Sequence, residues 1–203
     1  MLAIDPAKAA TGDIYKLMVG SIVPRPIALV STVDQAGVRN LAPFSYFTAC
    51  SSNPPVVVFC PLMRPTPPRA KDTLRNILAT KEFVVNIVSE DFAGRMNATA
   101  AQVAPEVDEF ELSGLTPIAS ELIKPARVAE SAVHMECRLL QVVQMSDQPG
   151  GGTLVLGQVL RFHVRQDMIE NFRIDPDKLH AIGRMAGSTY VRTTDRFDLE
   201  RPL

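Results

Sequence analysis

Apolar residues fill the stretch PRPIALVST, residues 24–32, without polar alternation from Ile27 through Val30. That is the pattern of a strand buried on both faces. Asp34, Gln35, Ala36 and Gly37 then supply turn residues. A second strand is predicted to begin near Val38 and run into NLAPFSYFTACSSNPP, residues 40–55. Pro43 cannot donate to a ladder, so it favours an edge, a bulge or a break. Val56 to Cys60 and EFVVNIV, residues 82–88, predict two further strands. From Val133 onward the period is two: Val133, Met135, Cys137 and Leu139 fall on one face, His134, Glu136 and Arg138 on the other. This reads as a half-exposed strand, with Glu136 and Arg138 a solvated or interface pair. Pro149-Gly150-Gly151-Gly152 predicts a hairpin into a strand over Thr153 to Val164.

Helical spacing is sparser. Leu74, Ile77 and Leu78 recur at i, i+3 and i+4 after the proline-rich loop of residues 64–72, which predicts an amphipathic helix with Asp72 as its N-cap. Ser89 can cap a second helix through Ala93, Met96 and Ala100, and Asp175-Pro176-Asp177 starts a short third. Residues 102–122 are turn-rich and carry no assignment. Six or seven strands, three short helices and no regular β-α alternation predict a mainly β fold: an antiparallel barrel with the helices outside.

Composition narrows the class. The 203 residues, 46% hydrophobic and 21% charged, suit one packed domain, residues 1–203. A net charge of -1 with no basic run argues against nucleic acid as a partner. Cys50, Cys60 and Cys137 form an odd set without Cys-x-x-Cys spacing, so neither disulfides nor a zinc site is predicted. His134, His163 and His180 are too scattered for a helical metal site, and no metal is expected. No signal-like segment opens the chain, and no apolar run nears the ~20 residues that span a bilayer. A cytoplasmic protein without a membrane partner is the expectation.

Three places carry possible chemistry. The junction PPRAKDTLRN, residues 67–76, offers a helix N-terminus with Arg69, Lys71 and Thr73 as donors, an arrangement that can hold a phosphate or simply cap the helix. In the second strand Phe44, Tyr46 and Phe47 stand among Ser45, Thr48, Ser51 and Ser52. They can wall a flat ligand, with Asn40, Phe44 and Ser45 at its rim, or fill the barrel. Arg184 and Tyr190 in GRMAGSTY can approach a ligand or form a surface turn. No nucleophile-base arrangement stands out, so no catalytic side chain is assigned.

The ordered set RPIALVST, the Asp-x-x-Gly turn, NLAPFSYF, SSNPP, KDTLRNI, EFVVNIV and GRMAGSTY resembles the flavin reductase-like, FMN-binding split-barrel family, over about residues 13–202. The resemblance implies an antiparallel Greek-key split β-barrel, bound FMN, and a homodimer with the cofactor near the subunit interface. It implies that main-chain groups of Asn40, Leu41, Ala42, Pro43, Phe44 and Ser45 border the flavin ring. Ser31, Thr32, Ser51 and Ser52 would follow the ribityl chain and phosphate. Arg69, Lys71 and Thr73 would meet the phosphate itself, with Arg184 and Tyr190 near the flavin. The proline-rich insert at residues 64–68 departs from tighter versions of that loop.

The activity so implied is NAD(P)H-dependent flavin reduction, hydride passing from NAD(P)H to FMN and electrons on to an unnamed acceptor. No Gly-x-Gly-x-x-Gly motif is present, so NAD(P)H would dock transiently over the flavin. The alternatives are a flavoredoxin-like FMN protein serving a protein partner, and a cofactor-free barrel that acts as an interaction module.

Overall fold

The computed structural model of the chain describes residues 1–65 and 68–202, with side chains except those of residues 64–69. Seven strands form one antiparallel sheet: β1 (Ala28–Val33), β2 (Arg39–Phe44), β3 (Phe47–Ser52), β4 (Pro55–Phe59), β5 (Glu82–Ile87), β6 (Val133–Gln144) and β7 (Thr153–Val164). Their spatial order is β2-β1-β5-β6-β7-β4-β3. The first and last strands in that order, β2 and β3, are therefore consecutive in sequence, joined through Ser45 and Tyr46 without a ladder between them. This is a barrel with a split. A C-terminal hairpin adds β8 (Ile182–Arg184) and β9 (Tyr190–Arg192), and two-residue pairs link 117–118 to 127–128 and 169–170 to 173–174.

β1 buries every residue: the apolar run through Val30, and then Ser31 and Thr32, whose hydroxyls are hydrogen-bonded inside. Ala28 and Val30 join the core with Phe44, Phe59, Phe83, Val85 and Val155. Leu29 faces the other way, with Ile27, Leu41, Phe92, Met96 and Phe110. Inside the first core Phe83 meets Phe59 edge-on at 5.5 Å, and its ring closes directly on Gly157, where an added Cβ would lie 2.2 Å from Cζ. Gly157→Ala should therefore cost roughly 2 kcal/mol by overpacking, read as a lower urea midpoint with unchanged slope. An unchanged midpoint would mean that Phe83 moves freely.

Five α-helices occur among the described residues: α1 (Thr11–Ser21), α2 (Asp72–Thr80), α3 (Ala93–Ala98), α4 (Glu109–Ser113) and α5 (Pro176–Leu179). α1 and α4 lie outside the three helices expected. α5 starts as read, the Asp175 carboxylate accepting from Asp177 N–H at 2.8 Å. α2 begins one residue earlier than predicted, at the residue expected to cap it. Lys71 holds the N-cap backbone position without a side-chain cap bond, and Asp72 is the first helical residue. Ser89 likewise makes no side-chain cap bond; a 3₁₀ turn over Glu90–Phe92 leads into α3.

The half-exposed reading of β6 fails at its first half. Glu136 is fully buried while Arg138 is exposed. The segment around residues 117–128 covers that face, and Glu121 N–H and Leu122 N–H donate to the Glu136 carboxylate at 2.8 and 2.7 Å. His163 Nε2 adds a third contact at 2.7 Å. Burial opposes the charge on Glu136, but these donors outweigh it and hold its pKa below the usual value.

Candidate functional site

The split exposes the outer edge of β2. Leu41 N–H turns away from β1 and donates to Glu109 Oε2 of α4 at 3.0 Å. By the two-residue alternation of an antiparallel ladder, Pro43 shares that outward phase. It has no N–H to leave unpaired, which is why a proline is tolerated there.

Behind this edge lies a buried polar network. Asn40 Nδ2 donates to both Glu109 oxygens at 2.9 Å, and Asn40 Oδ1 accepts from Thr73 Oγ1 at 2.8 Å and Thr32 Oγ1 at 3.3 Å. Asn76 Nδ2 completes the set by donating to Thr32 Oγ1 at 3.1 Å. These bonds lock the first turn of α2 to β1 and β2. Burial, and to a lesser degree the Asp72 carboxylate, push the Glu109 pKa up, against the pull of its Leu41 and Asn40 donors.

At the α2 entrance Lys71 Nζ lies 5.0 Å from the Phe44 ring centroid, and the ring itself packs on Phe59 at 5.0 Å. The Asp72 carboxylate pairs with Arg75 at 2.8 Å, so its charge is offset within the helix. On the other side of Pro43 a pocket of ≈ 350 Å³ opens between α1, the split, α3 and the β8–β9 hairpin, lined by Pro43, Ser45, Arg25, Arg184, Tyr190 and Met96 among others. Arg184 Cζ sits 4.5 Å over the Tyr190 ring, and Tyr190 Oη donates to Asn97 Oδ1 at 3.2 Å.

A family model described as a flavin reductase like domain matches residues 19–192.

The chain belongs to the flavin reductase-like family.

A protein of Aquifex aeolicus is 40% identical over 187 residues, 91% of this chain and 93% of that one. Among solved structures, nitrilotriacetate monooxygenase component B from Bacillus cereus superposes with a TM-score of 0.92 at 40% identity, covering 98% of both chains. The 2-nitrobenzoate 2-nitroreductase of Pseudomonas fluorescens gives 0.87 at 31% identity, covering 99% of this chain and 96% of that one. Flavin-related redox chemistry is the function class that these likenesses support, and the mainly β split barrel agrees with them.

In this flavin reductase-like barrel the residues singled out from sequence separate into groups. Pro43, Ser45, Arg184 and Tyr190 line one pocket. Thr32, Asn40 and Thr73 meet in the buried network, so their side chains are committed to one another. Ser31 is also buried and donates to Ala126 O on the opposite face of β1. Leu41 and Phe44 fill the two cores, and Ala42 packs against the first. Ser51 and Ser52 are exposed on β3. Lys71 stands at the helix entrance, and the Arg69 side chain lies outside the described residues. Arg25, Glu109, Asn76 and Asn97 escaped sequence reading. For Arg25 the signal was its place between two prolines; Glu109 lay in a segment without periodicity.

Proposed function

We propose that the chain binds FMN in the split and passes electrons from NAD(P)H, through the flavin, to an acceptor. One observation carries this reading: the open β2 edge at Pro43–Ser45 runs from an electropositive helix entrance to a pocket with aromatic and apolar walls. A phosphorylated tricyclic ligand needs the cation and the unpaired main-chain edge, and the pocket beyond leaves room for a reactant beside its ring.

The residues present fit the group. Lys71 and the N–H groups of the first turn of α2 suit the phosphate, since Asp72 is already paired with Arg75. Main-chain groups at Pro43 and Ser45 suit the ring edge. Exposed Ser51 and Ser52 remain available to the ribityl chain. Thr32, Asn40 and Thr73 serve by fixing the helix entrance against the strand, not by reaching the ligand with their side chains. When bound, the flavin supplies hydride acceptance at its central ring nitrogen, so no side-chain acid or base is required. The chain's own part is to orient that ring and set its electrostatic surroundings, with Arg25 and Arg184 as nearby positive charges.

A homodimer is supported by α1, which buries only Val19 and, with its C-cap residue Ile22, presents Tyr15 and Met18 to the outside. Tyr15 also lines the pocket, so a second copy packed on α1 would help to close it.

The test has two stages. FMN titrated into the purified chain should bind, and Lys71→Ala should weaken binding about tenfold or more. Lys16→Ala, whose amine pairs with exposed Asp13 at 2.9 Å, should not. Equal affinities would remove the phosphate assignment. Anaerobic NADH or NADPH should then bleach the bound flavin; a loaded protein that stays yellow would be an electron carrier for a protein partner instead.

A further inference from the structure

Where the chain enters β1 it sets two arginines directly opposite each other. Arg25 N–H donates to Arg184 O at 2.9 Å, and Arg184 N–H returns to Arg25 O at 2.8 Å. Exchange of both bonds makes this a hydrogen-bonded antiparallel pair, whose side chains leave the same face. Like charges so placed repel. Both side chains line the ≈ 350 Å³ pocket, and none of the described residues lining it carries a carboxylate to offset them. Two like charges set side by side with no carboxylate between them point to a ligand position.

The two guanidinium groups have different duties. Arg25 is 5% exposed. Its Nη1 donates to Val19 O and Ile22 O at 2.7 Å, its Nη2 to Met185 O at 3.0 Å and its Nε to Ser45 Oγ at 3.4 Å. That uses most of a guanidinium's five donors, so Arg25 contributes fixed positive charge at the base of the pocket. The Arg184 guanidinium lies over the Tyr190 ring and makes one hydrogen bond among the described residues, from Nη2 to Gly187 O. The rest of its donor fork has no acceptor among the described residues. Asn97 accepts the Tyr190 hydroxyl through Oδ1, which leaves its amide N–H groups for the pocket. Ile27, Pro43 and Met96 complete apolar walls.

We propose that this pocket binds a small planar carboxylate of the benzoate class. The carboxylate takes the free fork of Arg184 and the amide of Asn97, with the Arg25 charge behind it. Its ring lies against Ile27, Pro43 and Met96. A guanidinium fork matches a carboxylate edge-on, and the apolar walls favour a ligand that carries a ring over a bare inorganic anion. The proposal rests on the flavin reading only for the ligand's place beside the flavin ring, because Pro43 and Ser45 belong to both; binding itself requires no flavin.

Calorimetric titration of sodium benzoate into the full chain, as purified and after saturation with FMN, tests this. One benzoate per chain should bind in both forms, with benzamide and inorganic phosphate each at least about tenfold weaker. Arg184→Gln and Asn97→Asp should each weaken benzoate at least about tenfold; the second keeps the acceptor for Tyr190 and replaces the donor by a repelling charge. Arg196→Gln, an exposed arginine bonded to Asp177 elsewhere on the surface, should leave benzoate binding unchanged. Absence of benzoate binding, equal binding of benzamide or phosphate, unchanged affinity in both pocket variants, or displacement of benzoate by FMN would each overturn the proposal. Benzoate binding to a chain that takes up no FMN would uphold it while removing the flavin reading. FMN binding without benzoate binding would do the reverse.

Discussion

Replacing Glu109 by alanine should lower the free energy of unfolding by about 3 kcal/mol, because it leaves two buried donors without an acceptor. Glu109, 6% exposed as a residue, takes the Asn40 amide through both carboxylate oxygens and the Leu41 N–H through Oε2. Asn40 in turn accepts from Thr73, so loss of Glu109 also loosens the contact that seats the first turn of α2 beside the split. Glu109→Gln should recover roughly half of the loss: its single carbonyl oxygen can serve Leu41, but its own amide then faces the Asn40 amide. Urea unfolding at pH 7 measures both variants. Alanine and glutamine midpoints that coincide with the parent would show that the carboxylate does not hold this edge.

Acidification should destabilise the protein through His134. This imidazole is buried, and its Nδ1 meets Asn86 Oδ1 at 2.9 Å, the same oxygen that accepts Val128 N–H. Nδ1 therefore carries the hydrogen, and protonation would place a second one on Nε2 inside the fold. Burial first, then repulsion from Arg127 and His163, lowers the pKa from 6.5 to about 4, against a weaker opposing pull from Glu136. The unfolded chain thus binds this proton at a higher pH than the folded one. Stability is whole above pH 6.5 and falls as pH drops from there to about 4, by up to roughly 3 kcal/mol. His134→Gln keeps a donor for Asn86 and does not titrate, so its unfolding free energy should change less between pH 7 and pH 4.5 than that of the parent. Identical pH dependence in the two proteins would assign the acid loss to other groups.

Local patterns identified much of the barrel. β1 was legible because Ile27 to Val30 run apolar on both faces at its start, and the glycines before Thr153 marked the β6–β7 hairpin. Pro43 announced an edge, a bulge or a break because proline lacks the donor that an inner strand needs, and in the structure β2 is an edge strand. α1 gave no such signal: TGDIYKLMVGS buries only Val19, so its apolar residues do not follow a stripe facing the chain's own core. Glu136 was misread for a related reason. A period of two assigns a residue to a face, but what covers that face is a different segment of chain.

The same division holds at the site. The amino-acid order alone pointed to most of the strands, to an edge, bulge or break at Pro43, to the helix that follows Lys71 and to the family these motifs resemble, while the separate strand Phe47–Ser52 was read only as a continuation of β2. Only three-dimensional packing put Arg25 opposite Arg184, joined Asn40 to Glu109 and turned Thr73 inward, because each of those contacts joins segments far apart along the chain. Local preference acts over a few residues, whereas charge opposition and buried hydrogen bonding depend on which distant segments close on one another.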